Sequence, residues 1–171
     1  MAKFASKLIA LAIPLADSSG AEAKGWAKAN IVRSDGVVIG TVRSKVTPGG
    51  LAFKLEARGL APGELGLHIH EVGRCDGPDF KTAGAHWNPT GKEHGWHNPN
   101  GHHLGDINNL VITPQGNAKK NWRPGLIGNL PNPFDADGTS LVIHAQRDDE
   151  KTDPSGNSGA RIACAVLAAG K

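Results

Sequence analysis

Apolar and polar residues alternate along most of this chain with a period of two, the pattern of strands that bury one face. Residues 26–34 (WAKANIVRS) and 37–45 (VVIGTVRSK) flank Asp35-Gly36, which predicts a β-hairpin closed by a two-residue turn. The turn TPGG at 47–50 leads into LAFKLEAR at 51–58, so the first three strands form a meander. After the GLAPGE turn at 59–64, LGLHIHEV at 65–72 predicts a fourth strand. Regular periodicity then stops. From 73 to 106 Gly, Pro, Asn and His take over, a stretch too long for a structureless loop in a compact domain unless metal ligands or similar ties hold it down. Alternation returns in NNLVIT (108–113), weakly near 117–123, and then in GTSLVIHA (138–145) and RIACAVLA (161–168). Seven or eight short strands, two long loops and no helical pattern predict an all-β fold: a Greek-key β-sandwich or flattened eight-stranded barrel with two long functional loops.

Composition fits that picture. A chain of 171 residues with 39% hydrophobic content is one domain, long enough to bury a core. Its 23 glycines and 11 prolines, against four Phe, four Trp and no Tyr, favour turns over helices. The formal net charge is +3, from 19 basic and 16 acidic side chains, and no Lys/Arg run is present, which argues against a nucleic-acid partner. A small positive excess still helps to collect a small anion if it is focused at one site.

Residues 1–23 read as a secretory signal peptide. Lys3 and Lys7 precede the apolar run LIALAIPLA at 8–16, and a polar stretch leads to the small-residue pattern Ala21-Glu22-Ala23, which predicts cleavage after Ala23. A flexible N-terminal arm is the other reading. The apolar run has nine residues, too few to span a bilayer, so no membrane association is expected once the leader is removed. The remaining domain, 24–171, is then periplasmic or secreted. Export makes a disulfide between the only two cysteines, Cys75 and Cys164, chemically permissible, with two buried free thiols as the alternative.

The histidines carry the chemistry. Seven of the eight fall between residues 68 and 103, and the eighth, His144, stands on a later apolar strand. Imidazole nitrogens suit zinc and copper. His68 and His70 lie two apart on a predicted strand, so both rings share a face and can reach one ion; such a pair also arises without a metal. One metallohydrolase pattern would need Asp two residues after the second His, where this chain has Val72.

The wider pattern is more specific. GLHIHEVGRC (66–75), AGAHWNP (83–89), His94, HLGD (103–106), GTSLVIHA (138–145) and GNSGARIAC (156–164) together resemble the copper,zinc superoxide dismutases over residues 26–168. The early Cys after HEVG is similar to the bacterial secreted branch. The intervals from His86 to His94, His103 and Asp106, +8, +9 and +3, are those of that family's zinc loop.

The resemblance implies one copper ion per subunit on His68, His70, His86 and His144, and one zinc ion on His86, His94, His103 and Asp106, with His86 bridging as an imidazolate. Four nitrogens in a distorted tetragonal arrangement suit Cu(II) and leave a position open, whereas three His and a carboxylate close a tetrahedral zinc site. Copper would be catalytic and zinc structural. Asp148, four residues after His144, is implied as a carboxylate hydrogen-bonded to a ligand of each site, its other reading being a solvated member of the acidic run at 148–150. Arg161 is implied beside the open copper position, where a permanent positive charge draws in superoxide. His86 is implied to carry a proton. A Cys75–Cys164 bond would anchor the loop after His70 to the strand bearing Arg161. His97 and His102 have no counterpart, and read either as exposed loop imidazoles or as an auxiliary metal-capture pair.

The activity so implied is conversion of superoxide to dioxygen and hydrogen peroxide by Cu(II)/Cu(I) cycling. A non-catalytic periplasmic copper/zinc-binding or copper-carrier domain of the same fold is the rival reading. Relatives form homodimers through different faces or stay monomeric, so a homodimer is one expectation among these.

Overall fold

The computed structural model describes residues 25–48, 50–123 and 133–169; the predicted signal peptide, residues 1–23, lies outside the described residues. Eight strands follow one another: β1 (Ala27–Arg33), β2 (Val38–Thr47), β3 (Gly50–Arg58), β4 (Gly63–His70), β5 (Asp106–Ile112), β6 (Asn117–Trp122), β7 (Thr139–His144) and β8 (Arg161–Leu167). They close into an antiparallel barrel with neighbour order β1-β2-β3-β6-β5-β4-β7-β8, and β8 pairs back onto β1. The first three strands form the expected meander. β3 then neighbours β6 rather than β4, the Greek-key crossover. A single 3-10 turn, Lys81–Ala83, is the one helical element among the described residues.

The first hairpin departs from expectation. Arg33 N–H donates to Val37 O at 2.9 Å and Gly36 N–H to Arg33 O at 2.8 Å, so the turn has three residues, Ser34, Asp35 and Gly36, and not the two of Asp35-Gly36. Gly36, at φ 83, takes the left-handed position that closes such a turn. β4 also ends earlier than its apolar pattern. Glu71 and Val72 leave the ladder and donate to Ala85 O and Ala83 O of the long loop, both at 3.0 Å.

Alternation along β4 and β7 places the site. Leu65, Leu67 and Ile69, with Leu141 and Ile143, face the barrel core alongside Phe53, Leu55, Ile107 and Leu110. Each of these fully buried side chains contributes about 1.5–3 kcal/mol of burial free energy. The alternate residues, His68, His70 and His144, point to the outer face, yet they too are buried. That outer face is roofed by the loop between β4 and β5 and by the loop between β7 and β8. A second small cluster, Phe80, Ala83, Val142 and Cys164, packs under the first of these loops, where Cys75 and Cys164 form the disulfide.

Candidate metal centre

The loop from 71 to 105 is knitted to β4 by backbone hydrogen bonds. Ile69 N–H donates to Gly105 O at 2.9 Å, Trp87 N–H to Ile69 O at 2.8 Å, and Gly105 N–H to Trp87 O at 2.9 Å, which brings His86 beside His70. The expected ligands of the first ion converge: one ring nitrogen each from His68, His70, His86 and His144 lies within 4.8 Å of the others. Opposite corners of a tetragonal site with bonds of roughly 2 Å lie about 4 Å apart, so one ion reaches all four.

Each ring in this group is held by one nitrogen and offers the other. His70 Nδ1 donates to Gly84 O at 3.0 Å, and His144 Nδ1 to Gly159 O at 3.2 Å, which leaves their Nε2 atoms 3.4 Å apart. His68 Nε2 is held by Asp148 Oδ2 at 2.6 Å. Its Nδ1, like His86 Nε2, is buried with no hydrogen-bond partner. Buried polar atoms are rarely left so, and two orphaned imidazole nitrogens inside one histidine cluster fit a metal ion.

The second group surrounds Asp106. Its Oδ1 lies 3.1 Å from His86 Nδ1, 3.0 Å from His94 Nδ1 and 3.2 Å from His103 Nδ1, and His103 Nδ1 lies 3.4 Å from His86 Nδ1. A tetrahedral zinc site with bonds of 2.0–2.1 Å has edges of about 3.3 Å, and these four separations match such edges. Asp106 Oδ2 is taken by the backbone N–H groups of Gly95 at 2.9 Å and His103 at 3.0 Å, which aims Oδ1 at the imidazoles. His68 also comes within 4.8 Å of His86, His94 and Asp106. Asp148 occupies His68 Nε2, which leaves its Nδ1 as the nitrogen free for an ion.

Asp148 is not solvated. Its two oxygens take different rings, Oδ2 that of His68 at 2.6 Å and Oδ1 that of His94 at 3.0 Å, so the carboxylate spans the two groups. Gly156 makes room for it. A Cβ at this glycine, φ 61, would lie 1.7 Å from Asp148 Oδ1.

Electrostatics separate the groups. Burial, with the neighbouring His68, lowers His144 to about 3. Burial, only partly offset by Asp106, lowers His86 to about 4, and it also holds His68 and His70 below the ordinary histidine value. Burial opposes protonation of His94 as well, but hydrogen bonds to Asp106 and Asp148 outweigh it and raise His94 to about 9. Burial works against both carboxylates, yet the imidazole hydrogen bonds hold Asp106 and Asp148 far below the usual range.

Arg161 begins β8. Its Nη1 donates to Phe80 O and its Nη2 to Gly84 O, both at 2.7 Å, and Gly84 O is the acceptor that also holds His70. Burial lowers its pKa somewhat, opposed by Asp79, but a guanidinium stays charged at any physiological pH. Arg161 lines an open cavity of about 580 Å³ with Ser34, Pro78, Asp79 and Lys81. His97 and His102 stay apart from both groups. His97 is exposed, 3.6 Å from Glu150, while His102 stacks on Trp96 and its Nδ1 donates to His103 O at 2.7 Å.

An eight-stranded Greek-key barrel with two ligand groups that share one histidine on its outer face defines a dinuclear metalloprotein. The family model described as copper/zinc superoxide dismutase (SODC) matches residues 38–167, and the chain belongs to that family. "Superoxide dismutase [Cu-Zn] 2" of Aquifex aeolicus is 43% identical over 146 residues, 82% of this chain and 85% of that protein. The crystal structure of a superoxide dismutase-like protein from Bacillus subtilis, 39% identical, superposes with a TM-score of 0.77 over 84% of this chain and 99% of its own. The Cu/Zn superoxide dismutase from Brucella abortus, 28% identical, gives a TM-score of 0.67 over 84% of this chain and 99% of its own.

Sequence reasoning missed three residues at this site. Asn109 hydrogen-bonds the backbone of Asp148, Glu150 N–H donates to Asp148 Oδ1 at 2.6 Å, and Asp153 Oδ1 accepts His94 N–H at 2.7 Å. Only Asn109 left a trace in the sequence, as an amide among the apolar positions of a strand.

Proposed function

We propose that this protein converts superoxide to dioxygen and hydrogen peroxide, with copper on His68, His70, His86 and His144 and zinc on His86, His94, His103 and Asp106. One observation carries the assignment: His86 belongs to both ligand groups, and while its Nδ1 meets Asp106 its Nε2 is buried without a partner and free for a second ion. Bound in the first group, copper supplies the one-electron oxidation of one superoxide and reduction of a second.

The chain's own residues do the rest. Arg161 holds a fixed positive charge one carbonyl away from His70, so an anion is drawn to that edge of the histidine cluster. Asp148 locks the tautomer and tilt of His68 and His94 at once. His86 Nε2 is the atom placed to hold and release a proton, because its Nδ1 is committed to the second group. Two protons enter for every two superoxide ions consumed, which balances dioxygen and hydrogen peroxide as products.

The test is superoxide loss by protein loaded with copper and zinc. Copper-dependent loss is expected; its absence in fully loaded protein would give way to the metal-carrier reading. The leader-like pattern of residues 1–23 and the Cys75–Cys164 bond support export to the periplasm or medium. Fractionation of producing cells checks this, and retention in the cytosol would refute it.

A further inference from the structure

Strand β5 breaks its own alternation where it passes the site. Leu65 of β4 pairs with Leu110 and Leu67 with Ile107, so Asn108 and Asn109 together stand opposite the single residue Gly66. Such a bulge re-aims a side chain. Asn108 is exposed, while Asn109 is buried between Ile107 and Leu110 in strand order. Its carboxamide is used completely at one place: Oδ1 accepts Asp148 N–H at 2.8 Å, and Nδ2 donates to Asp148 O at 2.9 Å, with Glu150 Oε1 at 3.4 Å. A side-chain amide thus pairs with the backbone of one loop residue as a neighbouring strand would. Lys120 Nζ fixes the other end, donating to Asn108 O at 2.8 Å and Asn109 O at 3.1 Å, where β5 and β6 share one register pair, Ile112 and Ala118.

We infer that Asn109 is the positioning residue for Asp148: it sets the height of that backbone above the barrel, and so places one carboxylate across His68 and His94. The inference rests on the two-metal reading above. Asn109 makes no hydrogen bond to a proposed metal ligand; its side-chain partners are the backbone of Asp148 and, more weakly, Glu150.

Zinc titrated against a competing chelator tests it, on wild type, Asn109→Ala, Asp148→Ala and the double variant, with Leu110→Ala as a control for lost core packing. Asn109→Ala is expected to weaken zinc about 10–100-fold, the range for residues that support metal ligands. Adding it to Asp148→Ala is expected to change nothing further, because two residues acting as one unit are not additive. Leu110→Ala is expected to melt lower yet hold zinc as wild type does. Asn109→Asp keeps the shape and the acceptor but loses the donor, and a loss of about tenfold is expected there even if Asn109→Ala does not fold.

A second readout needs no metal. In metal-free protein the protons between Asp148 and the Nε2 atoms of His68 and His94 are observable by NMR, and their exchange with water is expected to quicken at least about tenfold in Asn109→Ala. Wild-type zinc affinity and exchange in both Asn109 variants would overturn the inference, as would a full additive loss in the double variant. Wild-type protein that binds no zinc while the exchange effect is present would instead overturn the two-metal reading and leave the Asn109–Asp148 relation standing.

Discussion

In the group proposed to hold copper, His70 and His144 each give one ring nitrogen to a backbone carbonyl; in the group proposed to hold zinc, His86, His94 and His103 all meet the carboxylate of Asp106. A carbonyl fixes the tautomer without adding charge. A carboxylate that is itself a ligand, as Asp106 is in this reading, adds a full negative charge, which partly neutralises the ion it faces. In this reading three imidazoles of the zinc group face Asp106, whereas in the copper group only His68 faces a carboxylate, Asp148, so more of the negative charge lies on the zinc side, and Arg161 adds a positive charge beside His70. The same residue type serves opposite electrostatic ends because its buried partners differ.

Replacement of the shared residue breaks the comparison outright. His86→Ala removes a ligand from both groups, and superoxide-consuming activity is expected to fall to background, whereas His144→Ala should abolish activity but leave zinc affinity in place. Chelator competition and the superoxide assay, run on both variants, separate these outcomes. Gly156→Ala comes next. Its Cβ would collide with Asp148 Oδ1, so zinc is expected to bind about 10–100-fold more weakly with all six histidine ligands present.

Arg161→Ala touches only the copper side. The rate at low salt is expected to fall about tenfold, at the low end of what charge focusing gives enzymes in general, superoxide dismutases among its standing examples, and the remaining rate should depend less on ionic strength. Stopped-flow decay of superoxide across a salt series measures both. The smallest effect is the most direct reading of the contrast. In metal-free protein at pH 7, His94 carries a proton because its value is raised to about 9, while His86 and His144, at about 4 and 3, do not. A metal taken up by the zinc group must displace the His94 proton, so its affinity is expected to rise about tenfold per pH unit between roughly pH 6.5 and 8.5. A metal taken up first by the copper group displaces no such proton, and its affinity should be nearly flat over that range. Titrations at stepped pH show the slopes; equal slopes would erase the distinction.

The strands were legible because burial of one face imposes a period of two, and Leu65, Leu67 and Ile69 or Leu141 and Ile143 keep it faithfully. The family motifs pointed to the candidate ligands, and the barrel brings those residues together. What did not show was the scaffolding between distant segments. Asn109 and Asp148 meet only because a bulge opposite Gly66 shifts the parity of β5, and Asp153 reaches His94 across two loops. Backbone-directed hydrogen bonds of this kind depend on where a chain passes, not on a spacing that recurs along it. The turn at 34–36 went astray for a related reason. Asp-Gly is compatible with a two-residue or a three-residue turn, and the choice here lies with the strand ends Arg33 and Val37.

The carbonyl of Gly84 receives both His70 Nδ1 and Arg161 Nη2. The proposed copper ligand and the charge proposed to guide the substrate are therefore surveyed from one datum. A shift of that carbonyl would carry both with it, so the offset between them would be preserved. A design that anchored each to a separate carbonyl would let the two errors accumulate independently, and small motions would then misalign the approach of the substrate with its destination.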